Sequence, residues 1–221
     1  MPLARPLLYA SIALLAGCQL FTEQPQQPSV KTVRLQGELS LQDGQWLFRP
    51  CQEQRRFIIE DGARTGLSED ASELAASAST ALYADLRGHL QASAEPGTDG
   101  RFELTQRYRV QAQGAGCEDP NFKRLTLHAD GADWSLNVGG QGLVLDRPGQ
   151  PSLALPYMEE QLPDGRFNLT SEANNQRLEL WVAPQRCASD SRGSVQHLRA
   201  ELRLNGQVQN GCAYYGGARR E

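Results

Sequence analysis

Imidazole is the side chain most readily recruited as a metal ligand or as a base near neutral pH. This sequence has three, His89, His128 and His197. They lie far apart, none has a second ligand at metal spacing, and His89 and His128 fall within strand patterns, so no metal site is expected. A hydrolase needs a nucleophile, a base and an orienting acid brought together. Ser189, Asp190, Ser191, Ser194 and His197 cluster in sequence, but no G-x-S-x-G or S-x-x-K frames them, and they read as a polar loop after Cys187. The acid pairs Glu118-Asp119 and Glu159-Glu160 suit a solvated edge, because adjacent acids on a strand point to opposite faces and cannot share one glycosidic bond. Gly139-Gly140-Gln141-Gly142 joins two strands and opens no helix, so it is no phosphate cradle. No catalytic constellation survives, and the chain reads as a non-enzyme without a cofactor.

The cysteines carry the remaining chemistry. The opening MPLARPLLYASIALLAG has one early positive charge, an apolar stretch from Leu7 to Ala16 and then small residues, the architecture of a secretory signal. That run is well short of the roughly 20 apolar residues a spanning helix needs. Leu15-Ala16-Gly17-Cys18 resembles the bacterial lipobox, which implies cleavage after residue 17 and acylation of Cys18. Several acyl chains give stable membrane attachment where one is marginal. Gln19-Leu20-Phe21 lacks the aspartate that commonly retains lipoproteins at the inner membrane, which favours the periplasmic leaflet of an outer membrane. Setting Cys18 aside leaves Cys51, Cys117, Cys187 and Cys212, an even number with three possible pairings in an oxidising compartment. None stands in a C-x-x-C, and their order favours sequential pairing in two consecutive domains.

Behind the signal at 1–17, the acylated cysteine and a Pro/Gln-rich tether occupy 18–31. The first domain, 32–118, opens with alternation: Val33, Leu35, Gly37, Leu39 and Leu41 share one face, and Asp43-Gly44 marks a hairpin. A second strand carries Trp46 and Phe48, and a third runs from Arg56 to Glu60. Ser68 or Asp70 caps an alanine-rich helix through Ala78. Leu82, Ala84, Leu86, Gly88 and Leu90 alternate again, where propensity alone would extend the helix into Leu82-Tyr83-Ala84. A fifth strand places Phe102, Leu104, Tyr108 and Val110 on one face. Three strands, a helix and two strands is the order of a five-stranded OB-like barrel.

The segment from Leu35 to Cys117, with LQGELSLQDGQWLFRPC, LYADLRGHLQASAEPGTDGRF and the late GCEDP, resembles the C-terminal OB domain of the NlpE family of outer-membrane stress lipoproteins, with Gly88-His89 matching a strand motif. The resemblance implies a Cys51 to Cys117 disulfide and a role in envelope stress. It covers less than half of the mature chain. The family's N-terminal domain with its redox C-x-x-C is missing, so copper or thiol sensing does not carry over.

A second domain, 119–216, follows with short strands bounded by turns: Leu125 to His128, Trp134 to Val138, Leu143 to Leu145, Leu153 to Leu155, Arg166 to Thr170, Arg177 to Ala183 and His197 to Leu204. Such spacing means an antiparallel meander or barrel. ADGADWSLNV, CASDS and NGQVQNGCA resemble a family of small bacterial envelope domains common in lipoproteins, which implies a Cys187 to Cys212 disulfide contributing roughly 3 kcal/mol in the chain-entropy model. Residues 217–221 read as a fraying tail.

A mainly β fold with a formal charge of -4 lacks the basic excess of a nucleic-acid binder. OB barrels bind polymers across strands two and three, where Trp46, Phe48, Arg49, Arg55, Arg56 and Phe57 make a candidate ligand face. The expected function is a non-catalytic, membrane-anchored module that binds a periplasmic protein or envelope polymer. The alternative is an inhibitor or chaperone-like module acting on a periplasmic enzyme, for example a lysozyme inhibitor.

Overall fold

A computed structural model describes residues 31–76, 78, 81–189 and 193–220. The signal at 1–17, Cys18 and all of the tether but Lys31 lie outside them, as do Asp190 and Ser191. Among the described residues no helix is long and apolar enough to cross a membrane.

The alternating segments form β1 (Thr32–Gln42), β2 (Gln45–Pro50), β3 (Phe57–Glu60), β4 (Leu82–Gln91) and β5 (Gly100–Gln111), with α1 (Leu67–Ala75) between β3 and β4. The hydrogen-bonded order β5-β3-β2-β1-β4 returns from β4 to β5, which closes a five-stranded barrel of OB order. Among the described residues of this barrel, β3 and β5 are the one parallel pair. A barrel this narrow is filled by its own side chains: Leu39, Phe48, Leu86, Phe102 and Leu104 pack inside, with Phe48 stacked on Phe102 at 5.7 Å, and Leu67, Ala71 and Leu74 of α1 join that core. Leu41 continues the inward alternation but lies near the free end of the β1–β2 hairpin, and it is exposed.

Two local readings change. The helix starts behind Gly66 in a left-handed conformation, with no side-chain cap from Ser68 or Asp70; Asp61 instead accepts bonds from the Thr65 and Leu67 amides. Asp70 is buried and paired with Arg107 and Arg186. Strand β5 does not keep a single alternation either. Its register against β4 slips around Asp85/Leu86 and again around Arg87/Gly88, so β5 carries extra residues. A bulge re-aims side chains, and Tyr108 leaves the inward face while Val110 keeps it. A Cβ on Gly88 would overlap the Glu103 carbonyl oxygen on β5, which explains glycine there.

The second half forms one antiparallel sheet from β6 (Leu125–Gly131), β7 (Ser135–Gly139), β8 (Gly142–Asp146), β9 (Leu153–Leu155), β10 (Met158–Gln161), β11 (Phe167–Ala173), β12 (Gln176–Ala183), β15 (Leu198–Leu204) and β16 (Gln207–Tyr215). Its order is β10-β11-β12-β15-β16-β6-β7-β8-β9. The sheet curls into a half-barrel around Trp134, Leu136, Leu145, Phe167, Leu180 and Leu202. The Trp134 ring lies where a side chain on Gly211 would stand.

Between β12 and β15 the chain leaves this sheet. It makes a hairpin of β13 (Cys187–Ser189) and β14 (Ser194–Gln196), and β14 pairs with the end of β5, Val195 opposite Val110. Val195 enters the barrel core. Thus of the cluster Ser189 to His197, read as a polar loop, Ser189 belongs to β13 and Ser194 to β14 of the first sheet. Disulfides join Cys51 to Cys117 and Cys187 to Cys212, each with Cα atoms 5.5 Å apart. The tail is held rather than frayed: the Gly217 and Ala218 amides donate to Phe122 and Leu125, and Arg219 pairs with Glu159 while lying over the Phe167 and Tyr215 rings.

Candidate binding site between the two sheets

The residues expected to form an open ligand face do not do so. Trp46, Phe48 and Phe57 are buried in the barrel core, because β2 and β3 turn their bulk inward to fill it. Arg49 pairs with Glu38, Arg55 pairs with Glu53 and Arg56 donates to the Gly97 carbonyl, all at the surface. Arg55 lies 5.3 Å over the Phe57 ring, and the other arginines are engaged away from the buried aromatics.

Polar side chains gather elsewhere. On the outward side of β4 and the end of β5, where β14 and β16 pack, Asp85 and Arg109 are buried. Arg34 donates through Nε and Nη2 to the two carboxylate oxygens of Asp85 at 3.0 and 2.6 Å, and Gln36 adds a third bond at 2.9 Å. Arg34 Nη2 also donates to the Tyr215 carbonyl at 2.6 Å, and the guanidinium lies 3.7 Å over the Tyr108 ring. Asp85 has no exposed surface, and a buried carboxylate is tolerated only when so fully paired.

One strand further, Arg109 is 5% exposed. Tyr214 covers its guanidinium at 3.8 Å and Tyr83 at 4.8 Å. Beside it opens a cavity of about 350 Å³ whose lining includes Arg109, Gln111, Asp130, Ser194, Gln196 and Tyr214. Residues 113–116, Asp119 and His128 complete the lining, which includes the exposed Gln113. Gln196 donates to Asp130 at 2.9 Å, and its own Oε1 is buried without a donor. His128 shares its Nδ1 with Asn137 Oδ1 at 2.7 Å and packs on Tyr214. Burial pushes the Tyr214 phenol up to about 12, against the opposing pull of Arg109, so the hydroxyl stays protonated.

The serines and His197 do not assemble a nucleophile and base. Ser194 is buried and receives a hydrogen bond from Gln196 at 3.4 Å. The His197 ring instead packs edge-on between Tyr108 and Tyr215, with Nδ1 2.9 Å from the Tyr108 carbonyl. Burial, with smaller contributions from Arg34 and Arg107, pushes His197 down to about 4 against that hydrogen bond, so the ring is neutral at physiological pH. Among the described residues no three His, Cys, Asp or Glu side chains gather where a metal ion could be held. Glu159 and Glu160 lie on the exposed edge strand β10, and Glu118 and Asp119 lie at a short 3-10 turn.

Sequence reasoning missed Arg109, Gln196 and Tyr214. Each is a polar residue on an outward strand position, and nothing in the local pattern says that a second sheet covers it. Compared with protein-family models, curated proteins and solved structures, the chain matches none of them.

Proposed function

We propose that this chain is an outer-membrane-anchored periplasmic lipoprotein whose folded part is a non-catalytic binding module, linked to envelope stress or maintenance. The leader ending in Leu-Ala-Gly-Cys supports export and acylation of Cys18. Two disulfides fit an oxidising compartment. The resemblance of the barrel segment to NlpE supports the link to envelope stress, without the redox function of the missing domain.

One observation carries the binding role: the cavity between the sheets is lined by buried polar groups from β5, β14 and β16, and two of those residues, Arg109 and Gln196, have incomplete hydrogen bonding. Convergent polar groups in a preformed concavity are what a binding site requires. Its occupant is a segment of a periplasmic protein or of an envelope polymer. A photo-crosslinking residue in place of Gln113, in intact cells, should give a light-dependent adduct that the same probe at the exposed Arg203 does not give. Identical adducts from both positions would remove the cavity from the function. Cys18→Ala should move the protein from the membrane to the soluble fraction, and continued membrane retention would refute the anchor.

A further inference from the structure

The curled sheet ends on two strands, β9 and β10. Strand β10 pairs with β11 on one side, and among the described residues no strand pairs with it on the other. All four of its residues, Met158 to Gln161, are exposed. The Leu162 amide donates to the Arg166 carbonyl at 2.8 Å, and antiparallel bonding alternates along a strand, so Glu160 and Met158 also bond toward β11. Glu159 and Gln161 therefore aim their N–H and C=O groups at the open side. Glu159 is exposed as a residue although its side chain keeps only 25% of its surface, so its accessible part is main chain. Such an edge is a ready template for a further strand.

The side chains determine which strand fits. Met158 lies opposite Thr170 and Glu160 opposite Asn168, on the face away from the core residues Phe167 and Leu169. Glu159 is paired with Arg219, whereas Glu160 has no charged partner among the described residues. Met158 is 76% exposed, at the rim of a concavity of about 510 Å³ whose lining includes Pro156, Tyr157 and Leu178. A strand bonded to Glu159 and Gln161 meets Met158 and Glu160 as non-hydrogen-bonded pairs, where facing side chains come closest. Running antiparallel, as every described pairing of this sheet does, it needs a basic residue opposite Glu160 and, two positions later, an apolar residue beside Met158. A second copy of β10 does not supply them. Its central antiparallel registers set Glu160 opposite Glu160 or Glu159 opposite Glu159, and like charges directly opposite repel.

We infer that β10 is a docking edge for an extended segment of another protein, which adds as an antiparallel strand and carries Lys or Arg followed two residues later by an apolar side chain. Main-chain bonds to Glu159 and Gln161 supply the attraction, and Glu160 with Met158 supplies the selection. This edge shares no residue with the cavity beside Arg109, so either can fail alone.

The test is titration of the full, disulfide-intact chain in detergent with the peptide acetyl-TTTKTVTT-amide, followed in a proton–nitrogen spectrum. The Glu159 and Gln161 amides should shift and exchange more slowly with solvent, while the Glu160 amide, already bonded to β11, keeps its exchange rate. Replacing the peptide's lysine by glutamate should weaken binding ~5-fold or more, and Glu160→Lys should reverse that preference. Gln161→Pro removes an outward donor and leaves the bonds to β11, so it should abolish binding with an unchanged thermal melt. If that variant does not fold, the parent chain still decides: N-methylation of the threonine after the lysine should abolish binding, and N-methylation of the lysine itself, whose N–H faces away, should not. No response at Glu159 and Gln161, or equal binding of the lysine and glutamate peptides, overturns the inference. Sedimentation showing a dimer that Gln161→Pro dissociates assigns the edge to a second copy and overturns it as well.

Discussion

Acidification should destabilise this fold by about 3 kcal/mol through one imidazole. In the folded protein His197 lies between Tyr108 and Tyr215 and is pushed down from 6.5 to about 4, mainly by burial. The unfolded chain takes up the proton at the ordinary value and the folded chain resists it, so below about pH 6.5 the unfolded state binds more protons. Stability is then fully present above that pH and is lost as pH falls through the window down to about 4. At about 1.4 kcal/mol per pH unit, that window is worth about 3 kcal/mol. His197→Asn is the informative variant, because its amide can still donate to the Tyr108 carbonyl but takes up no proton. At neutral pH it should be less stable than the parent by about 1–2 kcal/mol, from lost contact with the two rings. Urea unfolding with disulfides intact, from about pH 7 to about pH 4, should show that disadvantage vanish or reverse as the parent loses its extra about 3 kcal/mol. Parallel pH profiles for the two proteins, or a His197 ring proton titrating near the ordinary value, would refute the reasoning.

Three further outcomes are expected. Arg34→Met removes two of the three side-chain hydrogen bonds to the buried Asp85 and should cost about 3–5 kcal/mol, and adding Asp85→Leu should recover much of that loss in thermal melts. Peptide mapping without reductant should find Cys51 with Cys117 and Cys187 with Cys212. Removing the first pair, which spans 66 residues, should cost about 4 kcal/mol, and removing the second, which spans 25, slightly less. Gly211→Ala forces a Cβ into the Trp134 ring and the Asp130 backbone, so it should lower stability by at least about 2 kcal/mol and perturb tryptophan fluorescence.

The barrel was legible because its strands are covered on one face by a shared core, and that burial writes itself as alternation. Leu82, Ala84 and Leu86 are such a record, and it outweighs the helical propensity of the same residues. The hairpin at 187–196 was not legible. Three-residue strands carry no periodic signal, and Ser194 and Gln196 are polar although buried. Tyr108 was misplaced because a bulge inserts a residue without leaving a mark in composition. The cavity beside Arg109 was invisible for a related reason. Arg34, Asp85 and Arg109 stand where a barrel alone would meet water, and only the pairing of β16 with β6 and of β14 with β5 converts those positions into an interior. The cysteines were the exception, since parity and order along the chain survive folding unchanged.

The seam between β14 and β5 also sets an order of events. The barrel strands are synthesised first, yet the backbone of Arg109–Gln111 has no partner on that side until Ser194–Gln196 has emerged. Until then the nascent barrel carries an open strand edge next to the site that Val195 will fill, a template that a neighbouring copy's hairpin could occupy instead. A fragment ending at residue 118 would keep that edge permanently and should tend to swap or aggregate. Filling of the first barrel's core by Val195 is thus a late step, carried out by a hairpin inserted from the sheet that follows it.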